Sequence, residues 1–171
     1  KSGKVGFVGG MDIPLIRRFG CGYVQGVKAA KADATVFQNM TGDTGAAWND
    51  PVKGGEITKG QMAQGADVVY AAAGATGLGV LQAAKDGGAL SIGVDANQNY
   101  LHPGKVLTSM LKRVDVAVYN AFMDAKNEKF TAGFNVLGLK EDGVGYAVDE
   151  HNKALVTAEM AAAVEKAKAD I

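Results

Sequence analysis

The sequence predicts an α/β protein, a three-layer αβα sandwich built on a mainly parallel sheet. Two runs that are almost wholly apolar, Asp67–Ala73 and Leu90–Val94, are typical of strands buried on both faces, as parallel strands are. Segments with apolar residues at helical spacing separate such runs, so strand and helix alternate along the chain. The 171 residues show no internal repeat and no linker, so we expect a single lobe over residues 1–171.

The first strand and helix are predicted at the start of the chain. Lys4–Val8 is a short apolar run closed by two glycines, and Leu15–Ala30 carries apolar side chains along one helical face. Gly20, Gly22 and Gly26 each weaken such a helix by up to about 1 kcal/mol. Their presence predicts that the helix packs closely against a neighbour on that side.

A second strand and helix follow. Ala34–Asn39 is the strand, and a polar turn leads to a helix over Val52–Gln64. Asp50 is predicted as the N-cap, because it precedes Pro51 and proline is well tolerated in a first helical turn. Gly65 suits the position just after the helix, where a left-handed backbone is common.

The centre of the chain is the unit around which the rest is organised. Its first apolar run ends in the glycine turn Gly74–Gly77, a helix spans Leu78–Lys85, and the second run, Leu90–Val94, ends on Asp95. Ligands of open parallel sheets bind beyond the carboxyl ends of the strands. We therefore expect a binding site where Gly74 and Asp95 lie.

The last part of the chain predicts a loop, a strand, extended chain and two helices. The polar loop is Ala96–Lys105 and the strand is Val106–Met110. An amphipathic helix covers Lys112–Lys126, Gly133–Gly145 is extended chain with a turn, and Thr157–Asp170 is an alanine-rich helix.

Composition and charge exclude several classes of protein. Equal numbers of basic and acidic residues, 18 of each, give no footprint for nucleic acid or anionic lipid. No apolar run approaches the roughly 20 residues that span a bilayer, and a single cysteine, Cys21, leaves no internal disulfide. Cys21 has no nearby histidine, and His102 and His151 lack metal-ligand spacing with each other or with acidic residues. We expect a site that binds and releases a ligand, not an enzyme, with no cofactor and no metal.

Three features of the strand ends indicate the kind of ligand. Asp95 could accept hydrogen bonds from two vicinal hydroxyls of a sugar, or it could only order its loop. Lys112 could donate to the same hydroxyls and attract Asp95. The commoner role of a lone lysine is to be solvated at the start of a helix. The Gly74–Gly79 turn offers backbone N–H groups at a helix start, but it lacks the residues of a nucleotide phosphate loop.

Trp48 is the only tryptophan, and small and polar residues surround it in the sequence. A core tryptophan usually has apolar neighbours, so this setting indicates a platform on which a purine or another planar ring stacks. The alternative is an aromatic side chain that covers the end of the sheet.

Several segments together resemble one family. KVGFVGGMDIPLIRRFGCGYVQGVKAA, WNDPVKGGE, GADVVYAAAGATGLGVLQAA, IGVDANQ and VLTSMLKRVDVAVY are similar, in order and spacing, to the basic membrane protein family. These proteins are purine-nucleoside-receptor-type substrate-binding proteins of ABC transporters. The resemblance implies one lobe of a type I periplasmic-binding-protein fold, in which two lobes close over a nucleoside.

The resemblance also implies a ligand-binding role for five residues. Trp48 takes the position of an aromatic residue that stacks on the base. The residue associated with this position in the family is phenylalanine, so tryptophan is a departure. Gly74, Asp95 and Lys112 would lie around the ribose, and Met11 would lie near the pocket wall.

Family members are longer, and this chain resembles their second lobe. The helix over 112–126 would then pack on the first lobe, dock on its own lobe or swap into another copy, and its apolar face would favour a homodimer. The implied partners are a purine nucleoside, bound weakly by one lobe, together with the first lobe and an ABC permease. The implied location is the periplasm, or an anchor outside the cytoplasmic membrane.

Other functions are compatible with the same residues. A flavodoxin-like enzyme or regulatory domain would bind a phosphorylated nucleotide at this sheet edge. A transport receptor could instead take a sugar or a small signalling molecule, and an assembly domain would leave the edge empty.

Overall fold

The computed structural model describes residues 2–171, which contain a six-stranded sheet and five α-helices. The strands are β1 (Lys4–Met11), β2 (Thr35–Gly42), β3 (Val68–Ala72), β4 (Leu90–Asp95), β5 (Val106–Lys112) and β6 (Val144–Tyr146). The helices are α1 (Pro14–Ala30), α2 (Pro51–Ala63), α3 (Thr76–Asp86), α4 (Val114–Lys126) and α5 (Ala158–Asp170). Two short 3₁₀ turns cover Gly45–Trp48 and Asn99–Leu101.

Helices cover both faces of the sheet. The strands lie in the order β2-β1-β3-β4-β5-β6; the first five are parallel, and β6 pairs antiparallel with β5. Successive residues of a strand point to opposite faces, so Phe7 packs with Ile16 of α1 while Val8 packs with Val80 of α3 and Ile57 of α2. This arrangement confirms the predicted three-layer αβα fold.

The predicted strands and helices are present, and the largest differences are at strand ends. β1 and β2 continue beyond their predicted bounds because they stay paired as far as Met11 and Gly42. β5 likewise continues through Lys112, and α4 begins at Val114. The prediction that Lys112 starts the helix is therefore wrong, because this residue ends a strand.

Helix α2 packs unusually close to α3, and glycine makes this approach possible. A Cβ atom on Gly79 would lie 2.6 Å from the carbonyl carbon of Pro51, and one on Gly54 would lie 2.6 Å from the carbonyl oxygen of Thr76.

Both predicted ends of α2 are confirmed. Asp50 Oδ1 accepts a hydrogen bond from the Lys53 N–H at 2.9 Å, and Gly65 has a φ of 101°.

The glycines of α1 divide into two groups. Gly20 is buried, and a Cβ atom there would lie 3.0 Å from Gln38 Oε1 and 3.3 Å from Cε1 of Phe7. Gly22 and Gly26 are exposed, and a Cβ atom on either would have no neighbour within 4 Å among the described residues. The predicted close packing is confirmed for Gly20 and wrong for the other two, because they face solvent.

Helices α4 and α5 contribute little to the core. Neither contains a buried residue, and the side chains of Tyr119 and Phe122 on α4 are exposed. Whether α4 packs on its own lobe, on another lobe or on a second copy stays a prediction. None of the helices within residues 2–171 is long and apolar enough to cross a membrane.

Candidate functional site at the carboxyl ends of the strands

Asp95 and Lys112 form an ion pair at the carboxyl edge of the sheet. The parallel register places Asp95 opposite Leu111, so Lys112 follows at the same edge. Its Nζ lies 3.0 Å from Oδ1 of Asp95, and the two side chains are 52% and 49% exposed. Water can reach both charges, so a ligand with hydroxyl groups can bond to either one.

The backbone at Asp95 has a left-handed conformation, with a φ of 67°. Residues other than glycine rarely adopt this conformation, but aspartate and asparagine tolerate it better than most. The following loop is held in place by Gln98, whose Oε1 accepts a hydrogen bond from the Val94 N–H at 2.9 Å. The Gln98 N–H in turn donates to Oγ of buried Ser109 at 2.9 Å. These bonds fix the direction in which the Asp95 side chain leaves the strand.

Trp48 lies beside this pair with its ring system packed over glycine backbone. A Cβ atom on Gly74 would be 3.4 Å from Cε3 of the indole and 3.3 Å from the Trp48 carbonyl oxygen. Gly74 also has a φ of 58°, so an L-residue here would be strained as well as crowded. Trp48 itself is half-buried, which leaves part of the indole accessible.

These residues line one small cavity of about 160 Å³. Its walls come from the start of α1, the 3₁₀ turn before α2 and the ends of three strands. They are formed by Leu15, Ile16, Phe19, Trp48, Ala72, Ala73, Gly74, Val94, Asp95 and Lys112. The structure thus brings together four of the five predicted site residues. Met11 ends β1 at the same edge of the sheet but does not line this cavity.

Sequence reasoning did not assign Leu15, Ile16 and Phe19 to the site. They were assigned only to the apolar face by which α1 packs on the sheet. Ile16 is buried there, but Leu15 is exposed, which is unusual for a residue of a packing face. An apolar residue directly after the turn that follows β1 is the signal that could have placed this helix start at the site.

The cavity is smaller than a complete ligand pocket, which usually encloses about 300–1,000 Å³. Larger apolar hollows lie elsewhere, one between α1 and the sheet and another between α5 and the β5–β6 edge. The strand-end cavity is distinguished by its chemistry, because it combines an accessible indole with a pair of opposite charges.

A second polar cluster lies behind the Asp95 loop. Oδ2 of Asp149 accepts hydrogen bonds from the side-chain amides of Asn97 at 2.7 Å and Asn99 at 3.0 Å, and Oδ1 accepts one from the His151 N–H at 2.7 Å. The bond from Asn97 is the main cause that lowers the pKa of Asp149 below its ordinary value. The cluster therefore ties the loop after β4 to the segment after β6.

This cluster corrects one prediction. Asp149, Glu150 and His151 bring ligand-type atoms within 4.8 Å of one another, so the prediction that His151 lacks metal-ligand spacing with acidic residues is wrong. Both carboxylate oxygens of Asp149 already accept hydrogen bonds from the loops they order. That structural role accounts for the cluster.

An αβα lobe with polar groups at the carboxyl edge is the architecture of the substrate-binding proteins of transporters, and the comparisons with known proteins identify this class. A solved structure of an ABC transporter solute-binding protein from Aeropyrum pernix K1 is similar over 96% of this chain and 45% of that chain, with a TM-score of 0.74 and 36% identity. The family model described as ABC transporter substrate-binding protein PnrA-like, or Bmp, matches residues 1–171. The chain belongs to this family, which confirms the resemblance of its segments to basic membrane proteins.

Two relatives show how much of a family member the chain represents. The ABC transporter nucleoside-binding protein BmpA of Lactococcus lactis is 36% identical over 192 residues, covering 100% of this chain and 51% of the relative. Basic membrane protein D of Borreliella burgdorferi is 36% identical over 158 residues, covering 90% of this chain and 45% of the relative. The chain spans about half the length of these relatives.

Proposed function

We propose that this chain is one lobe of the nucleoside receptor of an ABC importer, and that its strand-end cavity is one wall of the binding cleft. The observation that carries the proposal is that Trp48, Gly74, Asp95 and Lys112 line the same cavity. An aromatic face beside two charged groups suits a ligand with a planar ring and neighbouring hydroxyls. A purine nucleoside has both, and the lactococcal relative is named as nucleoside-binding.

Each group has a distinct role in this proposal. The base stacks on the indole of Trp48, while the ribose hydroxyls donate to the Asp95 carboxylate and accept from the Lys112 ammonium. Gly74 has no side chain, so the ribose can approach its backbone closely. A Cβ atom at this position would also meet Trp48. Met11, at the end of β1, lies near the wall of the cleft.

The remaining walls of the cleft belong to a second lobe, which corresponds to the part of the relatives that this chain does not span. Closure of that lobe removes water from the half-exposed Asp95 and Lys112, which strengthens their bonds to the ligand. The closed protein then delivers the nucleoside to an ABC permease from outside the cytoplasmic membrane. The function is capture and release without chemical change of the ligand.

Titration of this chain with adenosine, guanosine, ribose and AMP tests the substrate class. Trp48 is the only tryptophan, so its fluorescence reports directly on the site. We expect both nucleosides to change the emission, with much lower affinity than a two-lobed relative shows, because half of the cleft is missing. Calorimetry with Trp48→Leu is the matched control, and it should lose the nucleoside heat.

The other ligands identify the alternatives. An equal response to ribose alone would point to a sugar receptor. A strong preference for AMP over adenosine would point to a nucleotide site at the start of α3. A wild-type chain that responds to none of the four would count against the proposed function.

A further inference from the structure

The 3₁₀ turn that carries Trp48 is held by a buried hydroxyl from another part of the chain. Thr76 Oγ1 donates a hydrogen bond to the carbonyl oxygen of Ala47 at 2.8 Å and accepts one from the Asp50 N–H at 2.7 Å. Its side chain is fully buried. The two bonded residues lie on either side of Trp48 and Asn49, so one hydroxyl spans the backbone on both sides of the indole.

A second hydroxyl bonds to the same carbonyl group. Thr41, near the end of β2, donates from Oγ1 to the Ala47 oxygen at 2.9 Å, and it is also buried. The Ala47 carbonyl therefore accepts from two threonines, one in β2 and the other at the start of α3. Within the turn itself, Thr44 stands at the N-cap position without a capping side-chain bond. The turn is thus held by two backbone hydrogen bonds of its own, from the Ala47 N–H to the Thr44 oxygen and from the Asn49 N–H to the Ala46 oxygen at 3.0 Å each, and by the two threonine hydroxyls.

Glycine backbone forms part of the surface beneath the indole. Gly10 and Gly74 lie under the ring system, and neither has a side chain that could interlock with it. The indole also packs against the apolar cluster that contains Ile16, Ala72 and Val94, and the two hydroxyls hold the backbone from which its side chain leaves. Thr58 offers a contrast, because it is equally buried but donates only to the Gly54 oxygen of its own helix, at 2.8 Å.

We propose that Thr76, assisted by Thr41, is a positioning residue that holds the Trp48 indole in its place in the cavity that Asp95 and Lys112 also line. The role in binding rests on the proposed function, whereas the orientation of the indole is a property of the unliganded protein. The methyl group of Thr76 packs toward Gly54 of α2, which a valine would preserve. The hydroxyl alone then distinguishes threonine from valine at this position.

The test compares Thr76→Val with Thr76→Ser and with the matched control Thr58→Val. Acrylamide quenching and fluorescence anisotropy of Trp48 are measured without ligand, alongside unfolding in urea. We expect Thr76→Val to raise the quenching constant by about twofold or more and to lower the anisotropy, while Thr76→Ser keeps wild-type values. Thr58→Val should lose similar stability without changing either fluorescence property. If Thr76→Val does not fold, the quenching constant and the anisotropy of Trp48 are measured in Thr41→Val instead.

The outcomes separate the two proposals. Unchanged quenching and anisotropy in a folded Thr76→Val or Thr41→Val chain would overturn the positioning role, whatever binds. If wild type binds a nucleoside, Thr76→Val should weaken that binding by about 3- to 10-fold, the equivalent of one lost hydrogen bond. If wild type binds none, the proposed function fails, while the fluorescence result still decides the role of Thr76.

Discussion

The indole of Trp48 occupies the space that a side chain at Gly10 would need, because a Cβ atom on Gly10 would come within 2.5 Å of Cε3 of the ring. Gly10 lies in β1 next to the carboxyl edge of the sheet. A glycine at this one strand position lets a tryptophan from a distant turn pack against the strand backbone. The aromatic wall of the candidate site therefore depends on a residue that does not line the cavity itself.

The first prediction is that Gly10→Ala displaces this wall. The added methyl group would overlap the ring, so the indole must move outward and its packing is lost. We expect a loss of about 1–3 kcal/mol in the free energy of unfolding, the usual range for overpacking. Urea unfolding and the emission maximum of Trp48 measure both effects. An unchanged emission maximum in a folded variant would show that the ring does not depend on Gly10.

The second prediction uses the two exposed glycines of α1 as the opposite case. A Cβ atom on Gly22 or Gly26 meets nothing within 4 Å among residues 2–171, and the backbone there is helical. Gly22→Ala and Gly26→Ala should each stabilise the fold by about 0.5–1 kcal/mol, because alanine has the higher helix propensity. Gly20→Ala is the control, since its buried position should make the same change neutral or destabilising. Thermal unfolding of the three variants distinguishes these outcomes.

The third prediction concerns the charged pair. Asp95 and Lys112 are both half-exposed, so their attraction contributes only about 0–1 kcal/mol to stability. Asp95→Asn should therefore change the free energy of unfolding little, but weaken nucleoside binding by about 1–3 kcal/mol, the range for bonds to a charged group. Asparagine is the appropriate substitute, because it tolerates the left-handed backbone at this position, whereas alanine would add strain.

The control for this pair is Lys112→Gln, which removes the partner charge without touching the strained backbone. Binding that weakens in both single variants, with less than additive loss in the double variant, would place both groups on the same ligand. Wild-type affinity in Asp95→Asn, measured by calorimetry, would remove this carboxylate from the site.

The sequence was sufficient to predict the strand ends of the site. Apolar runs that end at Gly74 and Asp95 identify parallel strands, and parallel strands bring their carboxyl ends to one edge. Lys112 could be placed there for the same reason, even though its strand is longer than predicted. Position along the sheet is thus fixed by periodicity, which a sequence displays directly.

The rest of the site depends on relationships that a sequence does not display. Thr76 bonds to Ala47 across 29 residues, and no local pattern marks a threonine that bonds so far away. The face of α1 that overlooks the cavity depends on how the helix sits on the sheet, so Leu15 and Phe19 were missed. Gly20 and Gly22 are the same residue type in the same helix, yet only Gly20 faces a neighbouring side chain.

The fourth prediction concerns acid stability. Hydrogen bonds, first of all from Asn97, lower the pKa of Asp149 in the folded state. A carboxyl group with a lowered folded-state pKa stabilises the protein fully above the unfolded-state value of about 3.9, and this contribution is lost as the pH falls through the folded-state value. The stability difference between wild type and Asp149→Asn should therefore be constant above about pH 5 and shrink below about pH 4.

Urea unfolding at several pH values from 7 to acid measures this difference. Asp43→Asn is the matched control, because Asp43 is exposed and makes no side-chain hydrogen bond within residues 2–171. A difference between wild type and Asp149→Asn that stays constant into the acid range would show that the Asn97 bond does not favour the ionised carboxylate.

The fifth prediction separates folding from association at α4. The side chain of Phe122 is 73% exposed, and no residue of α4 is buried, so this helix adds little to the stability of the lobe. Phe122→Lys should change the free energy of unfolding by less than about 0.5 kcal/mol, as surface substitutions do. Phe7→Ala is the contrasting control, because Phe7 is fully buried and its truncation should cost about 3–5 kcal/mol.

If the apolar face of α4 draws two copies together, sedimentation should show that wild type associates with rising concentration and that Phe122→Lys stays monomeric. A large loss of stability in Phe122→Lys at low concentration would mean instead that α4 packs on its own lobe.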